Sequence, residues 1–115
     1  MNSYNGFTPY QRTKGDKKLK AAVEAGIIKS AMEQSCSMCG QDKGIRHLHC
    51  EDYSEENIVS DAVCLCWRCH MMLHTRFYHP KSWHKYFCDV VLHKKQYPPV
   101  YRPNDWDVLK EHYID

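Results

Sequence analysis

No hydrophobic run in the chain approaches the roughly 20 apolar residues that a membrane-spanning helix requires. The opening Met1-Asn2-Ser3-Tyr4-Asn5-Gly6 carries no apolar run either, so neither a membrane partner nor a secretory leader is expected. Internal repeats, low-complexity tracts and long linkers are also missing, and 115 residues are expected to form one domain around one modest core. An even cysteine count is absent as well. Seven cysteines, four of them in paired knuckles and with no leader before them, argue against a secreted disulfide scaffold. The expected setting is a reducing, cytoplasmic one in which thiols stay available for metal. A domain this small gains from a staple, and a structural zinc would supply one.

Charge is segregated along the chain. From Met1 to Ser35 six Lys or Arg face three acids, and from Glu51 to Asp61 there are five acids and no base. From Arg68 to Arg102 seven bases face the single acid Asp89, and from Pro103 onward four acids face Lys110. Two basic stretches flanking the middle of the chain suit a polyanion such as nucleic acid, with a merely solvated charged surface as the plainer alternative.

Residues 1–15 read as an irregular, polar and aromatic arm. Asp16 is placed as an N-cap for a helix to about Ala25, on the helical spacing of Leu19, Ala22, Val23 and Ile27, with Gly26 stopping it in the left-handed conformation. The stretch from Ile27 to Gln34 is compatible with helix or with an extended lead-in. Arg46–Cys50 alternates as a strand does, with His47 and His49 on one face and Leu48 on the other. Ile58–Leu65 reads as a second strand, and a helix follows from near Arg68 to about Phe77. Residues 78–115 read as a helical extension. One helix opens at Pro80 and Ser82 and ends before Pro98-Pro99, and Asn104 caps a short last one. The fold class is α+β: two strands and a helix around metal within residues 16–77, with additional N- and C-terminal helices.

The chemistry concentrates in two Cys-x-x-Cys knuckles, Cys36-Ser37-Met38-Cys39 and Cys66-Trp67-Arg68-Cys69. Paired knuckles at this separation are a strong zinc signal, because four thiolates on two distant pieces of chain can close one tetrahedral site. Cys50, Cys64 and Cys88 fall outside the pairing and read as structural thiols. His70 and His74 lie four apart on the expected helix and so share a face. With His49 on the preceding strand they form a second ligand cluster, and three ligands would leave open positions for water and a phosphate oxygen. A closed four-histidine site that includes His47 is the structural alternative.

The run Cys36-x-x-Cys39, His49-Cys50-Glu51-Asp52-Tyr53-Ser54 and Leu65-Cys66-x-x-Cys69-His70-x-x-x-His74 resembles the HNH endonucleases, especially the small zinc-containing proteins of phages. It covers roughly Lys17 to His74. The resemblance implies a ββα-metal core stapled by Zn²⁺ at Cys36, Cys39, Cys66 and Cys69. It further implies a catalytic divalent ion (Mg²⁺, Mn²⁺, Ni²⁺ or Zn²⁺) at His49, His70 and His74, and a phage-encoded protein in a bacterial host that cuts or nicks double-stranded DNA. A homodimer or a protein partner fits the same reading. Position 50 is where the pattern departs. The family's general base is a histidine there, and Cys50 replaces it, leaving His47 on the same strand as a substitute. The middle asparagine of the family name has two candidates, Asp61 by distance from Cys66 and Asn57 by residue type. DNA contacts are expected from Arg76, Lys81, Lys85, Lys94 and Lys95. A catalytically degenerate relative, acting as a DNA- or protein-binding accessory or inhibitory factor, is the alternative to a nuclease.

Overall fold

A computed structural model of the protein describes residues 2–115. Its centre is a two-stranded antiparallel sheet, β1 (Arg46–His49) against β2 (Val63–Cys66), followed at once by helix α3 (Trp67–His74). The register pairs Arg46 with Cys66, His47 with Leu65, Leu48 with Cys64 and His49 with Val63. Helix α1 (Pro9–Glu24) and the short helix α2 (Ile58–Asp61) pack together, and α4 (Pro80–Phe87) and α5 (Asp107–Lys110) form the C-terminal part. This is the expected α+β architecture of a small sheet with added helices.

Two hydrophobic clusters divide the interior. One gathers Leu65, Trp67, Met72, Tyr86, Val90, Val100 and Leu109 around the knuckle cysteines. The other joins Leu19 of α1 to Cys50, Tyr53 and Ile58. Buried Arg68 stitches the C-terminal tail to the first cluster. Its guanidinium donates to the carbonyls of Val108 and Pro98, each at 3.3 Å, and meets Nε2 of His112 at 3.0 Å. Burial, with the Arg68 charge alongside, lowers the His112 pKa to about 4, so that ring stays neutral and can accept this bond. At the start of α4 the carboxylate of Asp115 accepts from the backbone N–H groups of Lys81 (2.9 Å) and Ser82 (3.1 Å), capping the helix from the far end of the chain.

Several expected boundaries are corrected. The first helix begins at Pro9, not Asp16, so the second half of the supposed arm is helical. Thr8 and Gln11 form a reciprocal capping box, with the Thr8 hydroxyl accepting from Gln11 N–H at 3.2 Å and the Gln11 side chain accepting from Thr8 N–H at 2.8 Å. Pro9, which breaks a helix interior, is well suited to its first turn. Gly26 does adopt a left-handed backbone, at φ +75°. Residues 31–33 form one 3₁₀ turn. The second strand is only half of what the Val- and Cys-rich run suggested, because Ile58–Asp61 is helical and β2 starts at Val63. The Asp61 carboxylate holds that turn by accepting from Glu51 N–H (2.7 Å) and Asp52 N–H (2.9 Å). Helix α3 ends at His74 rather than Phe77, α4 continues only as a π turn to Leu92, and α5 has no side-chain cap from Asn104.

Gly15 sits in the interior of α1, where alanine normally stabilises a helix by about 1 kcal/mol. Here a Cβ would lie 2.7 Å from the Tyr53 carbonyl oxygen and 2.8 Å from Cδ1 of Ile58. A backbone carbonyl cannot rotate away, so the sign reverses. Gly15→Ala is expected to destabilise the protein by ~1–3 kcal/mol in chemical denaturation, and an unchanged or raised midpoint would contradict the tight packing of α1 at this point.

Candidate metal centres

The four knuckle thiols converge. Cys36, Cys39, Cys66 and Cys69 place their sulfurs within 4.8 Å of one another, and all but Cys39 are buried. The Cys39 and Cys66 sulfurs are 3.7 Å apart, too far for a disulfide. Tetrahedral ligands on an ion with zinc–sulfur bonds should be about 3.8 Å apart, so donor type and spacing both fit such an ion. The local sequence explains the convergence. Gly40, at φ +80°, lets its N–H turn back to the Cys36 carbonyl at 2.8 Å, and Ser37 N–H bonds Cys64 O at 2.8 Å, tying the knuckle to β2. Cys66 ends the strand as the N-cap of α3, and its sulfur accepts from Cys69 N–H at 3.4 Å.

Four thiols this close cannot all lose their protons unaided. Hydrogen bonds from Cys39, Cys66 and Cys69 drive the Cys36 thiol down, while Cys66 and Cys69 are driven up, by Cys36 first and then by Cys39. A cation in their midst removes the conflict, which is the physical case for a metal. The hydroxyl of Tyr86, 3.0 Å from Cys69 Sγ, is pushed up by burial and then by that sulfur, and so remains a proton donor to it. Tyr86 lies in the C-terminal extension, and its spacing from the knuckles gives no sign of this role.

A second cluster forms on the other side of Cys69. His49, His70 and His74 bring one nitrogen each within 4.8 Å of the others, with His49 buried. Nε2 of His70 and Nε2 of His74 are 3.1 Å apart. Two imidazoles on one tetrahedral ion should be about 3.3 Å apart, so this pair also fits. Burial, then the neighbouring rings, lowers His70 to about 3 and His74 to about 4, which keeps both in the neutral form that binds metal. His47, also on this face of β1, stands outside the group of three. Its Nδ1 meets Nδ1 of His70 at 3.0 Å, and burial lowers its pKa. Among the described residues three histidines converge, not the four that a closed site would need.

The remaining expected site residues divide. Cys50 faces the Leu19–Tyr53–Ile58 cluster, its thiol 3.8 Å from the Ile58 carbonyl oxygen, and burial followed by the charge of Asp61 raises its pKa to about 12. A thiol so placed stays protonated and faces the apolar cluster, which argues against its acting as a base. Asp61 instead does what a loop-orienting residue would do, through its bonds to the backbone of Glu51 and Asp52. Asn57 is exposed and its side-chain amide donates to Asp52 at 3.0 Å. Arg76 belongs to the histidine centre rather than to an open basic surface, since it pairs with Glu51 Oε1 at 2.7 Å and donates to the Tyr4 hydroxyl at 2.9 Å. Lys81, Lys85, Lys94 and Lys95 are exposed, Lys85 pairing with Asp89 at 2.9 Å and Lys95 lying over the Tyr97 ring.

Two further residues contribute to the site, Glu51 and Tyr4. Glu51 Oε2 lies 2.5 Å from His49 Nε2. Burial would raise its carboxyl, but donors on Tyr4, Asn5 and His49, with the Arg76 charge, hold it below the usual carboxylate range. The alternation His47, His49, Glu51 was a usable signal for this. Tyr4, whose hydroxyl also bonds Glu51 and whose ring centroid is 5.3 Å from that of His74, had none.

The chain matches no family model, no curated protein and no solved structure.

Elemental analysis of zinc-loaded protein should give two ions per chain, one per chain in His74→Ala, and a partly unfolded product for Cys69→Ser. The last change removes a ligand from a site whose binding energy, on the order of 10 kcal/mol, is folding energy. With the cysteine site filled and no ion at the histidines, His70 and His74 titrate lower when folded than the ordinary 6.5, so the unfolded chain binds more protons. Stability is then expected to fall as pH drops below 6.5 and to level off near the folded values. A flat profile between pH 7 and 4 would contradict the burial of these rings.

Proposed function

We propose that the protein is a metal-dependent DNA endonuclease or nickase of the HNH type. Its structural Zn²⁺ would lie at Cys36, Cys39, Cys66 and Cys69, and a second divalent ion at His49, His70 and His74. The observation that carries this reading is the group of three imidazoles, not four, beside a thiolate site on one helix. Three ligands leave coordination positions for a substrate oxygen and water, as hydrolytic sites require and structural sites do not. An all-imidazole set is softer than Mg²⁺ usually prefers, which favours Zn²⁺, Mn²⁺ or Ni²⁺. When bound, such an ion supplies Lewis-acid stabilisation of the charge developing on a phosphodiester and activates water.

The chain's own residues do the remaining work. His70, ligating through Nε2, must carry its proton on Nδ1 and donate it to Nδ1 of His47. That bond takes up the lone pair of His47, so His47 orients His70 and is not a free base. Cys50 is no base either. Without one, turnover is expected to be slower by about 10²–10⁴ than that of an enzyme with a positioned histidine. Lys81, Lys94 and Lys95, exposed on the C-terminal extension, are the groups available to neutralise phosphates. The second reading, a degenerate member of the same class that binds DNA or a protein as an accessory or inhibitory factor, is favoured by one observation, the burial of Cys50.

Supercoiled plasmid incubated with Mn²⁺, Mg²⁺ or Zn²⁺ should be nicked slowly by the wild type and left intact by His49→Ala and His74→Ala. Intact plasmid with every metal, alongside a retained gel shift, would replace the nuclease by the binding protein. Lys94→Ala/Lys95→Ala should weaken DNA binding and flatten its salt dependence by about one unit of slope for each phosphate no longer neutralised.

A further inference from the structure

Two of the three histidines have one ring nitrogen engaged by a side chain outside the group of three. His70 gives its Nδ1 to His47 at 3.0 Å. His49 gives its Nε2 to Glu51 Oε2 at 2.5 Å. The Glu51 carboxylate is held unusually firmly for a group at a strand end. Oε1 accepts from Nη2 of Arg76 at 2.7 Å and from Nδ2 of Asn5 at 3.1 Å, and Oε2 accepts from the Tyr4 hydroxyl. Its backbone N–H is fixed by Asp61 at 2.7 Å. Donors from the N-terminal arm and the residues after α3 thus converge with the β1–α2 loop on one carboxylate. Glu51 is not among the three residues whose ligand atoms converge, and its hydrogen bond to them is the one with His49 Nε2.

We propose that Glu51 is a positioning residue for this centre: its carboxylate accepts the Nε2–H of His49 and fixes the tautomer whose Nδ1 is free to bind a divalent ion. A carboxylate accepts but does not donate, so Nε2 must hold the proton and Nδ1 the lone pair. Outer carboxylates of this kind orient a ligating imidazole and raise its basicity. Arg76 and Tyr4 in turn keep the carboxylate in place, which gives the N-terminal arm a part in metal binding. The inference rests on reading His49, His70 and His74 as a metal site, and it holds whether or not the bound form cuts DNA.

The test is made on the full chain with the cysteine site filled, by chelator competition with Co²⁺ and by ¹⁵N NMR of the histidine rings in the Zn²⁺ form. Glu51→Ala should weaken the histidine-site affinity about 10- to 100-fold while the cysteine site stays filled and the circular dichroism is unchanged. Glu51→Gln keeps an acceptor oxygen and should lose less. In the wild type His49 should be protonated at Nε2 and bound through Nδ1, and Glu51→Ala should blur that preference. Unchanged affinity in Glu51→Ala, or a His49 bound through Nε2, would overturn the inference. So would a Co²⁺ spectrum in Glu51→Gln that reports loss of a directly bound oxygen. A wild type that takes up no ion beyond the one in the cysteine site would overturn the metal-site reading itself, and with it this inference.

Discussion

Four clustered thiols, three of them buried, that cannot all ionise without a cation are the constraint on which the rest of the structure depends. They join the knuckle at Cys36–Cys39 to the junction of β2 and α3, reinforcing the bond from Ser37 N–H to the Cys64 carbonyl. The larger hydrophobic cluster is built around them, and Tyr86 brings the C-terminal extension onto Cys69. Because α3 begins at this clip, its orientation is fixed at its first turn. The histidine centre inherits that precision, since His70 follows Cys69 directly and His74 lies one turn further on.

Strand β1 and its continuation serve two environments by simple alternation. His47, His49 and Glu51 lie toward the imidazole centre, and Leu48 and Cys50 lie toward the α1 side. That partition explains why Cys50 is a core thiol and why His47 supports His70. It also means that Cys50→His would force an imidazole among Leu19, Tyr53 and Ile58, so a base cannot simply be restored at that position.

What the sequence made legible was whatever depended on short spacing. The two knuckles, the i, i+4 pair His70 and His74, the alternation at His47 and His49 and the left-handed Gly26 all appear where local pattern put them. The errors arose where a local signal was outweighed. Asp16 looked like an N-cap, but the Thr8–Gln11 box with Pro9 starts the helix earlier. The Ile58–Leu65 run has strand composition, yet Asp61 and buried Ile58 hold its first half in a helical turn. Long-range partners carried no signal of their own. Tyr4 reaches Glu51 across 47 positions and Arg76 reaches it across 25, distances over which no spacing rule operates. Arg76 therefore looked like one more surface cation when it is part of the centre.

Cadmium-113 NMR of the fully loaded protein tests most directly whether one helix carries two distinct metal sites. Two resonances of equal intensity are expected, one in the far-downfield range of four-thiolate coordination and one in the upfield range of nitrogen and oxygen ligands. The second alone should disappear in His74→Ala. A single four-thiolate resonance that is unaffected by His74→Ala would contradict the existence of the histidine centre.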